Sequence, residues 1–164
     1  MSESIIFSGN GVCVADSKGR FSLPLEMRKT LIASSADNKL YMTVHPELPC
    51  AVGFGFSHKQ WLEDQVVEME RAALEKGLPF NADAERENRF ADVEGLNFDS
   101  GGRFSMPDDI CEILDIDDAV VFIGASRHIQ MWRPETFLAS EGRTPRARYA
   151  VEKFLAERKA GKRK

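Results

Sequence analysis

An aspartate and an arginine four residues apart, with a glycine before the arginine, occur twice in this chain. The two copies are Asp16-Ser17-Lys18-Gly19-Arg20 and Asp99-Ser100-Gly101-Gly102-Arg103. A carboxylate and a guanidinium at this spacing have two uses. They can pair with each other or with backbone groups and hold a tight turn, or the arginine can be presented to an anion such as phosphate. Asp16 and Asp99 suit turn entry because an Asp side chain bonds its own backbone downstream, and Gly19 and Gly102 can supply positive φ. Aligned from Asp16 to Leu31 against Asp99 to Leu114, 8 of 16 positions are identical, at a separation of 83 residues. A match that dense points to a duplicated supersecondary unit. Two such turns suggest a binding surface more than a catalytic pocket.

Other residues capable of chemistry are scattered. His45, His58 and His128 show no HxxxH or HxH spacing, and Cys13, Cys50 and Cys111 form no CxxC. No metal-ligand set is visible, and small buried thiols in a reducing compartment account for the cysteines. Gly53-Phe54-Gly55 lacks the third glycine of a dinucleotide fingerprint. No GxSxG or Walker loop is present. Trp61 and Trp132 read as packing anchors. The sequence therefore gives no support for an enzyme, a metal, a cofactor or a small-molecule substrate.

The elements that must position the turns follow from periodicity. Gly11 to Ala15 reads as a strand, Asp16 to Gly19 as a turn, and Arg20 to Leu23 as an alternating strand with Phe21 and Leu23 on one face. Pro24 opens a helix to about Ile32. Strands over Lys39–Val44 and Cys50–Phe56 complete the first unit. A helix capped by Ser57 runs to Lys76 with an apolar stripe of Trp61, Leu62, Val66, Met69, Ala73 and Leu74. A second, mostly charged helix spans Asn81–Phe90. The order then repeats: strand Val93–Phe98, the Asp99 to Gly102 turn, strand Arg103–Met106, a helix from Pro107 to about Leu114, and strands Ala119–Gly124 and Ile129–Trp132. In both units the turn reads as a hairpin. Phe21, Leu23, Phe104 and Met106 are expected in the core. From Pro134 onward the chain is expected to be helical, fraying over Lys159–Lys164.

The 164 residues are 43% hydrophobic and 29% charged, the composition of a globular protein. No apolar run approaches a membrane span, and Met1 to Phe7 lacks the features of a signal peptide. The net charge of −4 hides a division. Residues 1–142 hold 13 Lys/Arg and 24 Asp/Glu, a net of −11, whereas residues 143–164 hold 9 Lys/Arg and 2 Glu, a net of +7. An acidic body with a basic end hints at a polyanion partner. The basic end has three readings: a disordered solubilising tail, a phosphate-binding arm, or a contact with the acidic body of a neighbouring subunit.

The tandem turns, each followed by an alternating strand and a proline, together with the opening Phe7-Ser8-Gly9, resemble the MraZ family over nearly the whole chain. MraZ proteins are bacterial transcriptional regulators of the division and cell-wall gene cluster. The resemblance implies an α+β fold with a mainly β core, in which two tandem AbrB-like (SpoVT-AbrB) β-β-α-β-β repeats form a pseudo-symmetric swapped-hairpin barrel flanked by helices. The repeats would cover 7–56 and 92–135, with a helical connector over 57–91 and a C-terminal helix and basic tail over 136–164. It further implies a ring-shaped homo-oligomer. A sequence with neither a membrane span nor a signal peptide is expected to be cytoplasmic and, as a DNA-binding protein, nucleoid-associated. The ring would bind direct repeats in double-stranded promoter DNA, usually as a repressor that also controls its own operon, with no membrane partner.

By position, Lys18, Arg20, Arg28, Lys29 and Arg103 are the candidate DNA-binding residues, with Asp16, Gly19, Asp99 and Gly102 structuring the turns. Gly101 stands where the first copy has Lys18, and Cys111 and Glu112 stand where it has Arg28 and Lys29. The second copy is thus poorer in cations. Arg28 and Lys29 can also be read as a solvated helix face. A ring-forming adaptor without specific DNA binding is the alternative function, supported by the acidic body.

Overall fold

The computed structural model describes residues 5–162. The start of the opening segment, residues 1–4, and the last two residues of the basic end, Arg163 and Lys164, lie outside the described residues. The first unit comprises β1 (Asn10–Val14), β2 (Phe21–Ser22), α1 (Leu25–Ser35), β3 (Lys39–Val44) and β4 (Ala51–Phe54). The connector holds α2 (Phe56–Glu75) and α3 (Ala82–Phe90). The second unit repeats the order with β5 (Glu94–Asn97), β6 (Arg103–Phe104), α4 (Asp108–Leu114), β7 (Ala119–Ala125) and β8 (His128–Trp132). Helices α5 (Pro134–Ala139) and α6 (Pro145–Lys162) close the chain.

The fold is α+β. One antiparallel sheet has the order β1-β7-β8-β4-β3-β5, and β2 and β6 form a separate two-stranded ladder. Written in terms of the repeat, that order is a palindrome about the β8–β4 junction. The first strand of each unit pairs with the third strand of the other: β1 with β7 in register Val12↔Val121, and β5 with β3 in register Leu96↔Leu40. The hairpin expectation needs correction here. Each turn forms, yet its two arms diverge, β1 to β7 and β2 to β6. Phe21 and Leu23 both turn into the shared core, and Phe21 meets Phe104 across the β2–β6 ladder at a ring separation of 6.3 Å. Leu23 N is held by the Gly102 carbonyl at 2.9 Å rather than by a β1 partner.

That core includes Phe21, Leu23, Phe104, Met106, Leu31, Leu40, Met42 and Phe122, all nearly inaccessible. A second cluster, built on Cys50, Val121, Trp132, Phe137, Ala147 and Val151, fastens α5 and α6 to the other face of the sheet.

Two helix assignments change. Ser57 lies inside α2, and Gly55 is its N-cap. The open N–H groups of Phe56 and Ser57 are satisfied from outside by the hydroxyls of Ser35 (3.0 Å) and Ser34 (3.1 Å) at the end of α1. A Cβ at residue 55 would overlap the Ser34 hydroxyl, so glycine is what lets the two helices meet. The α2 stripe is also less buried than its periodicity suggests: Val66 is inaccessible, while Met69 is exposed and Leu74 is 81% exposed. At the other end of the chain, the helical stretch breaks at Gly142 (φ +79°), and helix persists through Lys159 to Lys162 instead of fraying at Lys159.

Candidate nucleic-acid interface

Each turn is held by its own aspartate. Asp16 accepts from Lys18 N (3.0 Å), Arg20 N (2.9 Å) and Arg20 Nε (3.0 Å). Asp99 accepts from Gly101 N, Arg103 N (both 2.9 Å) and Arg103 Nε (2.8 Å). A carboxylate gathering backbone N–H groups is favoured in its charged form. The backbone bond from Arg20 is the largest cause holding the Asp16 carboxyl below its ordinary range, and Arg103 N does the same for Asp99. Both arginines therefore make the intra-turn pair, and each carboxylate also fixes where its guanidinium points.

The β2–β6 ladder places the two turns side by side. Arg20 Nη1 lies 3.8 Å from Asp99 Oδ2, whereas no reciprocal Arg103–Asp16 pair forms among the described residues. A second unequal contact comes from α1. Arg28 Nη1 donates to the Ser100 carbonyl at 2.7 Å, and its Cδ packs where a Cβ on Gly102 would sit. Arg28 thus grips the opposite turn across 72 residues of sequence, with its Nε buried and unpartnered. Its counterpart Cys111 is too short to return the contact. This role was not readable from the sequence; the only signal was the unequal pair Arg28/Cys111 within the repeat.

Lys18 is exposed at the tip of the first turn. Lys29 is exposed on α1 and loosely paired with Glu26 at 3.5 Å, a contact of little energetic weight at the surface. The structure therefore gathers Lys18, Arg20, Arg28 and Arg103 around the paired turns, with Lys29 on the adjoining helix. Gly19 and Gly102 adopt φ +77° and +78°, as their turn role requires.

The histidines, scattered in sequence, come together elsewhere. His45, His58 and His128 line a cleft of about 780 Å³ with Trp61 and Arg127. His58 stacks on Trp61 at 5.4 Å, and Arg127 lies 3.9 Å above the same indole. Burial first, then the positive neighbours His128 and Arg127, push the His58 imidazole down to about 4. The pairing of β3, β4 and β8, with α2 starting just after β4, brings these residues together from positions 45, 58 and 128, and no spacing rule would have found them. Cys50 is fully buried, its thiol pushed up to about 12 by burial, and all three cysteines are free. Among the described residues, no group of His, Cys, Asp or Glu is arranged to hold a metal ion, and no helix is long and apolar enough to cross a membrane.

The duplicated α+β unit brings its two charged turns side by side. No protein-family model matches the chain. Curated relatives do. It is 31% identical over 134 residues to the transcriptional regulator MraZ of Rhodospirillum rubrum, an alignment covering 80% of this chain and 82% of that protein. It is 26% identical over 133 residues to the transcriptional regulator MraZ of Parvibaculum lavamentivorans (81% and 79% covered). To that of Rhizobium leguminosarum bv. trifolii it is 27% identical over 137 residues (82% and 88% covered). The chain belongs to the MraZ family. These relatives are named as regulators, not as enzymes.

Proposed function

We propose that this protein is a sequence-specific DNA-binding transcriptional regulator. In this reading it assembles as a ring of identical subunits on direct repeats in promoter DNA and represses the division and cell-wall gene cluster together with its own operon. The observation that carries the reading is the placement of both turns at one edge. There Lys18, Arg20, Arg28, Lys29 and Arg103 stand against Asp16, Glu26 and Asp99, a net of +2 on a body that is otherwise acidic. Lys18, Arg20, Lys29 and Arg103 contact phosphate or base edges, and Arg28 holds the second turn in place through Ser100. The crosswise pairing of β1 with β7 and β5 with β3 supports describing the two units as a swapped-hairpin barrel.

A net of +2 is small for one subunit, since each neutralised phosphate adds only about −0.9 to the slope of log K against log salt. Assembly multiplies such contacts through effective concentration. Exposed apolar side chains on α2, Val67, Met69 and Leu74, offer surface for that assembly. The test is retardation of the promoter duplex upstream of the chain's own gene against a scrambled duplex. Equal retardation of the two would favour the adaptor reading.

A further inference from the structure

The cleft that gathers the three histidines has features the paired turns do not explain. Its walls come from the end of β3, from β4, the start of α2, α3 and the β7–β8 connection. Its volume of about 780 Å³ falls within the roughly 300–1,000 Å³ range of small-molecule sites. Val44, Val52, Phe54, Trp61 and Leu62 give it an apolar, partly aromatic lining. Three polar features are set into that lining.

The first is a group of imidazoles. His58 Nδ1 and His128 Nε2 are buried without a hydrogen-bond partner, two of the three such side-chain atoms among the described residues. Buried polar groups are normally paired, so two exceptions in one cleft call for an explanation. His45 adds a donor of fixed tautomer. Its Nδ1 accepts from Glu47 N at 3.0 Å and Leu48 N at 2.9 Å, which leaves the proton on Nε2. Burial is the first cause lowering all three imidazoles, so at neutral pH they bring hydrogen bonds without charge. The second feature is Arg127, which lies 3.9 Å over the Trp61 ring and has no ion pair among the described residues. Of the other charged groups lining the cleft, Arg89 is taken by Glu85 at 2.9 Å and Asp92 is exposed to solvent. The third is the backbone that carries Arg127. Ser126 adopts φ +66°, and two hydrogen bonds to Phe7, of 2.8 and 2.9 Å, hold it there. Non-glycine residues pay for that conformation, and such strain collects at ligand clamps.

We propose that this cleft binds a small aromatic carboxylate, its ring against the apolar wall and its carboxylate on Arg127 with the imidazole donors beside it. A guanidinium accepts a carboxylate edge to edge. One unpaired cation among neutral imidazoles balances a single negative charge, which favours a carboxylate over a phosphate. The cleft shares no lining residue with the paired turns, and the inference does not depend on the DNA-binding reading.

Calorimetric titration of the full chain without DNA tests it, using hydrocinnamate, naphthoate and indoleacetate, each beside its uncharged amide. At least one carboxylate is expected to bind saturably, with its amide weaker by roughly tenfold or more. Arg127→Gln should weaken the carboxylate by a similar factor and leave the amide unchanged, with circular dichroism confirming the fold. Tryptophan emission locates the site, because Trp61 lines the cleft and Trp132 sits in the second core cluster. The emission change caused by hydrocinnamate should vanish in Trp61→Phe. Failure of all three carboxylates to bind, equal affinity for the amides, or unaltered binding by Arg127→Gln overturns the proposal. So does an emission change that survives in Trp61→Phe. Binding that is lost at protein concentrations where light scattering shows larger assemblies would assign the cleft to a neighbouring copy of the chain instead.

Discussion

Arg20 and Arg103 look equivalent in sequence but have different surroundings. Arg20 faces two carboxylates, Asp16 and Asp99, and has Lys18 beside it; Arg103 has Asp99 alone and Gly101 in the lysine's place. On the DNA-binding reading, Arg20→Ala is expected to flatten the promoter salt slope by about 0.9 and to weaken binding more than Arg103→Ala does. The reverse ranking would place the second turn on the DNA. The glycines differ in a way that stability can read. Both occupy the left-handed region, where a side chain costs on the order of 1–2 kcal/mol. A Cβ at residue 19 meets open space, whereas at residue 102 it meets Arg28 Cδ at 3.1 Å and the Leu23 carbonyl at 3.3 Å. Gly102→Ala should therefore cost about 1 kcal/mol more than Gly19→Ala, seen as a lower urea midpoint at unchanged m. Equal midpoints would mean that Arg28 does not grip the second turn.

At the scale of elements, local chemistry was legible and partner choice was not. Both turns, the helix α3, and the burial of Phe21, Leu23, Phe104 and Met106 followed from residue type and alternation, whereas the role of Asn81 as the cap of α3 did not. The pairing of β2 with β6 did not, because alternation says which face of a strand is buried but not which strand lies beside it. The α2 cap was misplaced for a related reason: Ser57 has the right chemistry, yet the donors are met by Ser34 and Ser35 from another helix. The histidine cleft between α2 and the sheet belongs to this scale too. His58 has a folded-state value near 4 against an ordinary 6.5. Between those values the unfolded chain binds the extra proton, so this contribution to stability is present above pH 6.5 and is lost as pH falls toward 4. After allowance for partial solvent access the loss is on the order of 1–2 kcal/mol. His45 and His128, also lowered chiefly by burial, act in the same direction. Unfolding free energy followed from pH 7 to pH 4 should fall more for wild type than for His58→Phe. Parallel curves would remove His58 as the cause.

For the whole molecule, the decisive property is that neither unit closes upon itself. β1 finds its partner in β7, β5 in β3 and β2 in β6, while β4–β8 joins the halves at the centre of the sheet. The central core is likewise shared, with Phe21, Leu31 and Met42 from one half against Phe104, Ile110 and Phe122 from the other. A fragment of residues 1–91 would keep only the β3–β4 ladder and expose the apolar faces of β1 and β2, and residues 92–164 would keep only β7–β8. A single two-stranded ladder is marginal in water. Each fragment alone is therefore expected to lack a cooperative thermal transition, and the two mixed or co-expressed should regain one as a complex. The duplication also gives either fragment a second route: two copies of residues 1–91 can attempt the same crosswise pairing, β1 to β3 and β2 to β2. The paired-turn geometry argues against its being equally stable, because Arg28 would then reach toward a turn carrying Lys18 where Gly101 now stands. Light scattering on the 1–91 fragment distinguishes the cases. A stable, cooperatively folded homodimer would show that the asymmetry of the two turns is dispensable for the fold, leaving recognition as what the unequal second copy contributes.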